Sequence, residues 1–378
     1  MIDRFITSEF TRQLAQTQGK LLVLMGPRQT GKTTLVRSVA SKFAGKTQYL
    51  TGDDPVIRNR LTNIGLDALT SLLKGRDLLV LDEAQRIPDI GITLKLMADH
   101  FPETKVIATG SSSFELANQI NEPLTGRKSV FYLFPVCWQE WSNHIGTFDA
   151  ENGLEQRLRF GMYPEVLTNP GNEQEILAGL ASDNLYRDLL SFAPIRKPEL
   201  LVQILQALAL QVGSEVSYNE LAGLIKVDKQ TIAHYIAALE QAYVIFRLGP
   251  LSRNLRNEIS TTRKIYFYDN GIRNALIGNF APLALRQDKG ALWENFVISE
   301  RMKFNRYKRR HFVNAYFWRT KQGQEIDYLE DSDGQLDAFE IKWQFSRRPS
   351  PPTAFESAYP NHTFQGITPE VISAFLPL

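Results

Sequence analysis

Residues Leu21 to Val36 read LLVLMGPRQTGKTTLV, and this stretch decides the fold of the first part of the chain. The unbroken apolar run Leu21-Leu22-Val23-Leu24-Met25 has the character of a strand buried on both faces. It stops at Gly26, and Pro27, Arg28, Gln29 and Thr30 lead to Gly31-Lys32-Thr33-Thr34, after which a helical pattern begins. That is G-x-x-x-x-G-K-T between a strand and a helix. The glycines let backbone N–H groups turn inward around a β-phosphate, and the helix N-terminus adds positive potential. The spacing predicts a nucleotide held by Gly26 to Thr34. Lys32 would bridge the β- and γ-phosphates, Thr33 would offer its hydroxyl to Mg²⁺, and Thr34 would reach the α-phosphate.

Working outward, Thr47–Thr51 reads as a second strand and Leu78-Leu79-Val80-Leu81 as a third, which runs into Asp82-Glu83. Carboxylates at the C-terminal tip of a buried parallel strand stand where open α/β sheets bind ligands. Asp82 is expected to hold magnesium through water, and Glu83 to orient or polarise the attacking water. A further strand, Lys105–Thr109, ends at Gly110-Ser111-Ser112-Ser113. Ser111 or Ser112 would contact the γ-phosphate or the water, or cap the helix that follows. Arg127 precedes one more strand, Val130–Leu133. It stands where an arginine can reach a neighbouring subunit's nucleotide, and a local salt bridge is the alternative.

Composition narrows the class. A chain of 378 residues is long for one core, and 43% hydrophobic with 22% charged residues is a globular composition. A net charge of +2 leaves any nucleic-acid surface to be local. The lone cysteine, Cys137, excludes an internal disulfide framework and reads as a small buried residue. MIDRFITSEF lacks the basic and apolar regions of a signal peptide, and Leu200–Val212 is too short and too rich in glutamine to span a membrane. A cytoplasmic protein with no membrane partner is the expectation.

GPRQTGKTT, VLDEAQRIPD, ATGSSS and then GR before a strand ending Phe134-Pro135 resemble the prokaryotic AAA-type ATPases. The closer resemblance is to a subgroup with a C-terminal domain of unknown function and a restriction-endonuclease-like core. Gly161-Met162-Tyr163-Pro164-Glu165 resembles that family's Gly-Gly-aromatic-Pro-Glu segment, with Met162 departing from it. The resemblance implies ATP and Mg²⁺ as ligands, hydrolysis with Lys32, Glu83, Ser111 and Arg127 as participants, and self-association.

The expected fold is α/β. Residues 1–150 would form a P-loop parallel sheet with helices on both faces, and 151–196 a helical connector or lid. Residues 197–256 show the order of a winged helix-turn-helix, opened at its second helix by Ser217 with Glu220 three residues on, a capping box. Its third helix would offer Lys229, Gln230, Thr231, His234 and Tyr235 to duplex DNA, helped by Arg253, Arg256, Arg263 and Lys264; packing against protein is the alternative. Residues 257–378 form the last part. There Glu325–Leu329 and Leu336–Trp343 flank a turn at Asp333-Gly334, so Glu340 and Lys342 share one face of a hairpin strand. With Asp327 on the partner strand, this resembles the PD-(D/E)xK nuclease-like superfamily. The resemblance implies Mg²⁺ on Asp327, Glu340 and Glu294 (Glu300 as the substitute), with Lys342 beside the reacting water. An ordinary strand with one wet face is the alternative. Arg301, Lys303, Arg306, Lys308, Arg309 and Arg310, with Arg347-Arg348, would suit a polyanion or simply be solvated.

Overall fold

A computed structural model describes residues 2–16, 20–111, 124–184, 197–251, 263–308, 310 and 312–376. Ser112, Arg253, Arg256 and Arg309 lie outside the described residues. The chain divides into two compact units, Asp3–Pro135 with Gln241–Tyr243, and Val136–Glu240 with Val244–Leu378.

In the first unit α1 (Ile6–Gln16) leads into β1 (Leu21–Met25), α2 (Lys32–Ser41), β2 (Thr47–Thr51), α3 (Pro55–Leu61), α4 (Leu66–Leu73), β3 (Leu78–Asp82), α5 (Ile90–His100), β4 (Lys105–Gly110) and β5 (Lys128–Tyr132). The five strands form one sheet in the order β2-β3-β4-β1-β5, and every pairing is parallel. Successive strand residues point to opposite faces, so complete burial of β1 and β3 requires cover on both sides. The edge strands β2 and β5 are only partly buried, which is why their sequences carry Thr, Gln, Lys and Ser. Parallel register lines up Met25 with Gly110 and Thr51 with Asp82, so the tips of β1 to β4 meet at one edge.

The second unit holds a seven-stranded sheet: β6 (Glu215–Val216), β7 (Ile245–Pro250), β8 (Arg263–Phe267), β9 (Asn314–Arg319), β10 (Glu325–Ser332), β11 (Gln335–Ile341) and β12 (His362–Ile367), ordered β12-β11-β10-β9-β7-β8-β6. Helices Pro198–Leu210, Tyr218–Ile225 and Lys229–Gln241 with β6, β7 and β8 occupy the segment expected to hold a winged helix. β7 and β8 belong to the same sheet as the C-terminal strands. Parallel pairing of β7 with β9, Gly249 opposite Tyr316, joins them. The β10–β11 hairpin turns at Asp333 (φ 53°) and Gly334 (φ 84°), both left-handed as a two-residue turn matching strand twist requires. Trp318, Ile326, Leu329, Leu336, Ala338 and Phe355 form a core against this hairpin.

Candidate functional site

The phosphate loop is held by backbone geometry that only its glycines permit. Gly26 has φ 147°, and a Cβ there would lie 2.1 Å from the Leu133 carbonyl oxygen. Gly31 caps α2 at φ 95°, opening the N-terminus toward the loop. Between them Thr30 is buried and donates to the Pro27 carbonyl at 2.9 Å, while Arg4 from the start of the unit donates to Thr30 O at 2.7 Å. Lys32 is 5% exposed, and its ammonium donates to the carbonyls of Gly26 and Pro27, both at 2.7 Å. The loop thus carries a buried cation at its centre, next to the first turn of a helix, an arrangement suited to an anion.

Asp82 stands at the meeting point of three strand tips and α2. Its Oδ2 accepts from Thr33 Oγ1 at 2.9 Å and from the Tyr49 hydroxyl, and its Oδ1 accepts from Thr109 Oγ1. Tyr49 is on β2 and Thr109 on β4, so the neighbours of β3 on both sides fix this carboxylate. Burial, and next the Asp82 carboxylate, push the Tyr49 phenol well above its usual range, so it stays a donor. Thr33 and Asp82 supply oxygen donors on one spot, the pattern by which Mg²⁺ is held with few protein ligands and with substrate phosphates completing the shell. The residues present fit that ion.

Glu83 follows in the left-handed region, φ 50° and ψ 43°, turning the chain out of β3 into the short 3₁₀ turn Ala84–Arg86. Its N–H donates to Thr109 Oγ1 at 3.0 Å, and its carboxylate accepts from Gln85 Nε2 at 2.6 Å. Gln85 Nε2 also reaches Ser111 Oγ at 3.0 Å, so Ser111, 1% exposed at the tip of β4, joins the same group. Arg127 stands elsewhere in this unit. Its guanidinium is paired with Asp99 in the last turn of α5, with both side chains partly exposed.

In the second unit the expected metal carboxylates are engaged with lysines. Lys264, 3% exposed at its side chain, lies 2.5 Å from Glu325 and 3.3 Å from Glu294, whose Oε1 also accepts from Tyr266 at 2.7 Å. Burial pulls the Lys264 ammonium down, but Glu294, Glu325 and Asp327 more than offset it and raise it above the usual range. Asp327 accepts from the Ile341 N–H at 2.8 Å and from Lys342 at 3.3 Å. Burial raises the carboxyls of Glu294 and Glu340, Lys264 and Lys342 respectively pull them back, and Asp327 raises both further. Among the described residues no three His, Cys, Asp or Glu side chains form a group able to hold a metal ion. Of the expected Glu294–Asp327–Glu340 set, Glu294 is paired with Lys264 and Asp327 with Lys342. The buried carboxylate of Glu300, the expected substitute for Glu294, accepts from Trp138 N and from Lys303 Nζ, each at 2.6 Å.

The expected basic rim is split, with Arg301 and Lys303 buried and Arg306, Lys308, Arg347 and Arg348 exposed. Arg301 makes a two-pronged pair with the fully buried Glu330, both contacts at 2.8 Å, and Arg310 reaches the same carboxylate at 3.1 Å. Lys303 is buried on Glu300. On the third winged-helix segment Tyr235 is buried with its hydroxyl on Lys197 O, and Thr231 is held by its cap Asp228. Lys229, Gln230 and His234 remain exposed.

Family models match three consecutive parts of the chain: an AAA domain over residues 18–142, a domain of unknown function (DUF8612) over 151–283, and a second (DUF4143) over 289–370. An uncharacterized protein of Mycobacterium tuberculosis is 30% identical over 327 residues, covering 85% of this chain and 70% of that protein. The chain belongs to that protein's family. An uncharacterized protein of Methanocaldococcus jannaschii is 22% identical over 301 residues, 68% of this chain and 62% of that protein. Among solved structures, the RuvB Holliday junction branch migration motor of Thermotoga maritima is 20% identical, covering 64% of this chain and 89% of that chain at TM-score 0.31. Tyr49, Thr109 and Gln85 of the AAA domain went unnoticed as site residues in the sequence. Thr109 alone carried a signal, as the polar end of an apolar strand run. Among the described residues, no helix is long and apolar enough to cross a membrane.

Proposed function

We propose that the first unit binds ATP with Mg²⁺ and hydrolyses it. The observation that carries this reading is the convergence of Thr33, Asp82 and Glu83 on the strand edge beside the Lys32 loop. Lys32 and the N–H groups of Gly26 to Thr34 bind and orient the phosphates, exchanging loop carbonyls for phosphate oxygens at the Lys32 ammonium. Thr33 and Asp82 are the residues that would hold Mg²⁺, which when bound neutralises charge on the β- and γ-phosphate oxygens. Glu83 orients water toward the γ-phosphorus and takes its proton. Ser111 is placed to sense the γ-phosphate from the tip of β4. Self-association through Arg127 would require its guanidinium to leave Asp99 for a second copy's phosphate. The substitution Lys32→Ala removes the central cation, and nucleotide affinity should fall at least about a hundredfold, consistent with loss of a charge-assisted contact at a buried site. Fluorescent-nucleotide titration measures it, and unchanged affinity would refute the assignment of the loop.

For the second unit we propose a binding module rather than a nuclease. Lys264 and Lys342 on the carboxylates support that reading, as does the use of Arg301, Lys303 and Arg310 in internal ion pairs. Lys229, Gln230 and His234 are the exposed groups that duplex DNA would meet. Titration with labelled duplex at two salt concentrations should give weak binding that fades with salt and no cutting with Mg²⁺ or Mn²⁺. Cutting that disappears in Asp327→Ala would restore the nuclease reading. Absence of binding at low salt would favour a protein partner.

A further inference from the structure

Gln85 is a buried amide that the reading above does not use. Its side chain is 4% exposed, in the turn that follows β3. A carboxylate can only accept, so the contact with Glu83 fixes the orientation of the amide, with Nε2 toward Glu83 Oε2 at 2.6 Å and Ser111 Oγ at 3.0 Å. The amide oxygen then faces the other way, buried and with no hydrogen-bond partner among the described residues. An unpaired buried acceptor costs on the order of 1–3 kcal/mol, and a methionine or leucine at this position would avoid it. The cost is tolerated at a place where the nitrogen of the same amide joins the tips of two strands at the candidate hydrolytic centre.

We propose that Gln85 is a positioning residue for ATP hydrolysis, bridging the Glu83 carboxylate to Ser111 so that the base and the γ-phosphate contact are held as one unit. The inference rests on the reading of Glu83 as the group that orients water. Glu83 leaves β3 with left-handed backbone, and Thr109 accepts from its N–H. Gln85 Nε2 is the hydrogen-bond donor that fixes the carboxylate in the structure described. Because Gln85 acts through Glu83 and Ser111 and not on the phosphates, its loss should slow turnover without loosening the nucleotide.

The test compares the full-length wild type, Glu83→Gln, Gln85→Met and Gln85→Asn in multiple-turnover ATPase assays, with nucleotide affinity measured in parallel. Methionine keeps the volume of the side chain and removes the donor. Asparagine keeps the donor on a chain one methylene too short to span both partners, and it serves as the second variant should methionine fail to fold. The expected result for both is a fall in kcat of about tenfold or more, with KM and nucleotide affinity within about threefold of wild type. The bound nucleotide recovered on filters should shift from ADP toward ATP. A merely structural role would raise KM together with lower kcat and would not change which nucleotide is trapped. Wild-type kcat in Gln85→Met with Glu83→Gln inactive would overturn the bridge alone. Glu83→Gln turning over at the parental rate would overturn the reading beneath it as well.

Discussion

Asp82 has its carboxylate fixed by three hydroxyl donors from three different elements, Thr33 on α2, Tyr49 on β2 and Thr109 on β4. Substituting Tyr49→Phe removes one hydrogen bond to an ionised acceptor at a partly buried site, which should cost about 1–2 kcal/mol of unfolding free energy. Urea titration should show a lower midpoint with an unchanged slope, since the surface exposed on unfolding is the same. An unchanged midpoint would mean the phenol contributes nothing net. Lys32, Thr33, Asp82 and Glu83 were legible in the sequence because each sits within or at the end of a local strand-and-loop pattern. Tyr49 and Gln85 were not. Their roles depend on β2 and β4 lying on either side of β3, and that order appears only when the sheet is assembled.

Ion pairs inside the second unit define its elements. Asp288, the residue before the long helix Lys289–Tyr307, receives Arg273 at 2.5 Å and Arg286 at 2.7 Å, with both guanidinium side chains almost fully buried. Burial by itself would raise the Asp288 carboxyl, yet hydrogen bonds from Arg286 and Arg273 lower it to about 2. A carboxyl lowered in the folded state contributes stability that is present above its ordinary value near 4 and is lost as pH falls through about 2. Denaturation curves at pH 7, 4 and 2 should show wild type well above Asp288→Asn at pH 7, with the gap narrowing over the two lower values. A gap that does not change with pH would contradict the assignment. At this scale the sequence misled in one respect. The run from Arg301 to Arg310 reads as one basic surface because charge composition carries no information on depth, but Glu330, fully buried on β10, draws Arg301 and Arg310 onto it while Arg306 and Lys308 stay exposed.

On the scale of the whole molecule the parallel sheet of the first unit was predictable, since β1, β3 and β4 carry short apolar runs that end at the phosphate loop or at polar residues. The second sheet was predictable only in pieces. Glu325 to Trp343 shows its hairpin, and Ser217 to Leu248 the winged-helix order, but the pairing of β7 with β9 that fuses them links residues far apart in sequence. The same distance hid the burial of Lys264, expected as an aid to DNA binding, whose carboxylate partners come from a helix and a strand well downstream. ATP turnover by the AAA domain is what the proposed function depends on most. The most direct measurement is multiple-turnover phosphate release by the wild type and Glu83→Gln, each with Mg²⁺ and with chelator, alongside nucleotide binding. The account predicts Mg²⁺-dependent turnover by the wild type, and in Glu83→Gln retained binding with turnover reduced at least about a hundredfold. No turnover by the wild type, or turnover by Glu83→Gln at the parental rate, would contradict it.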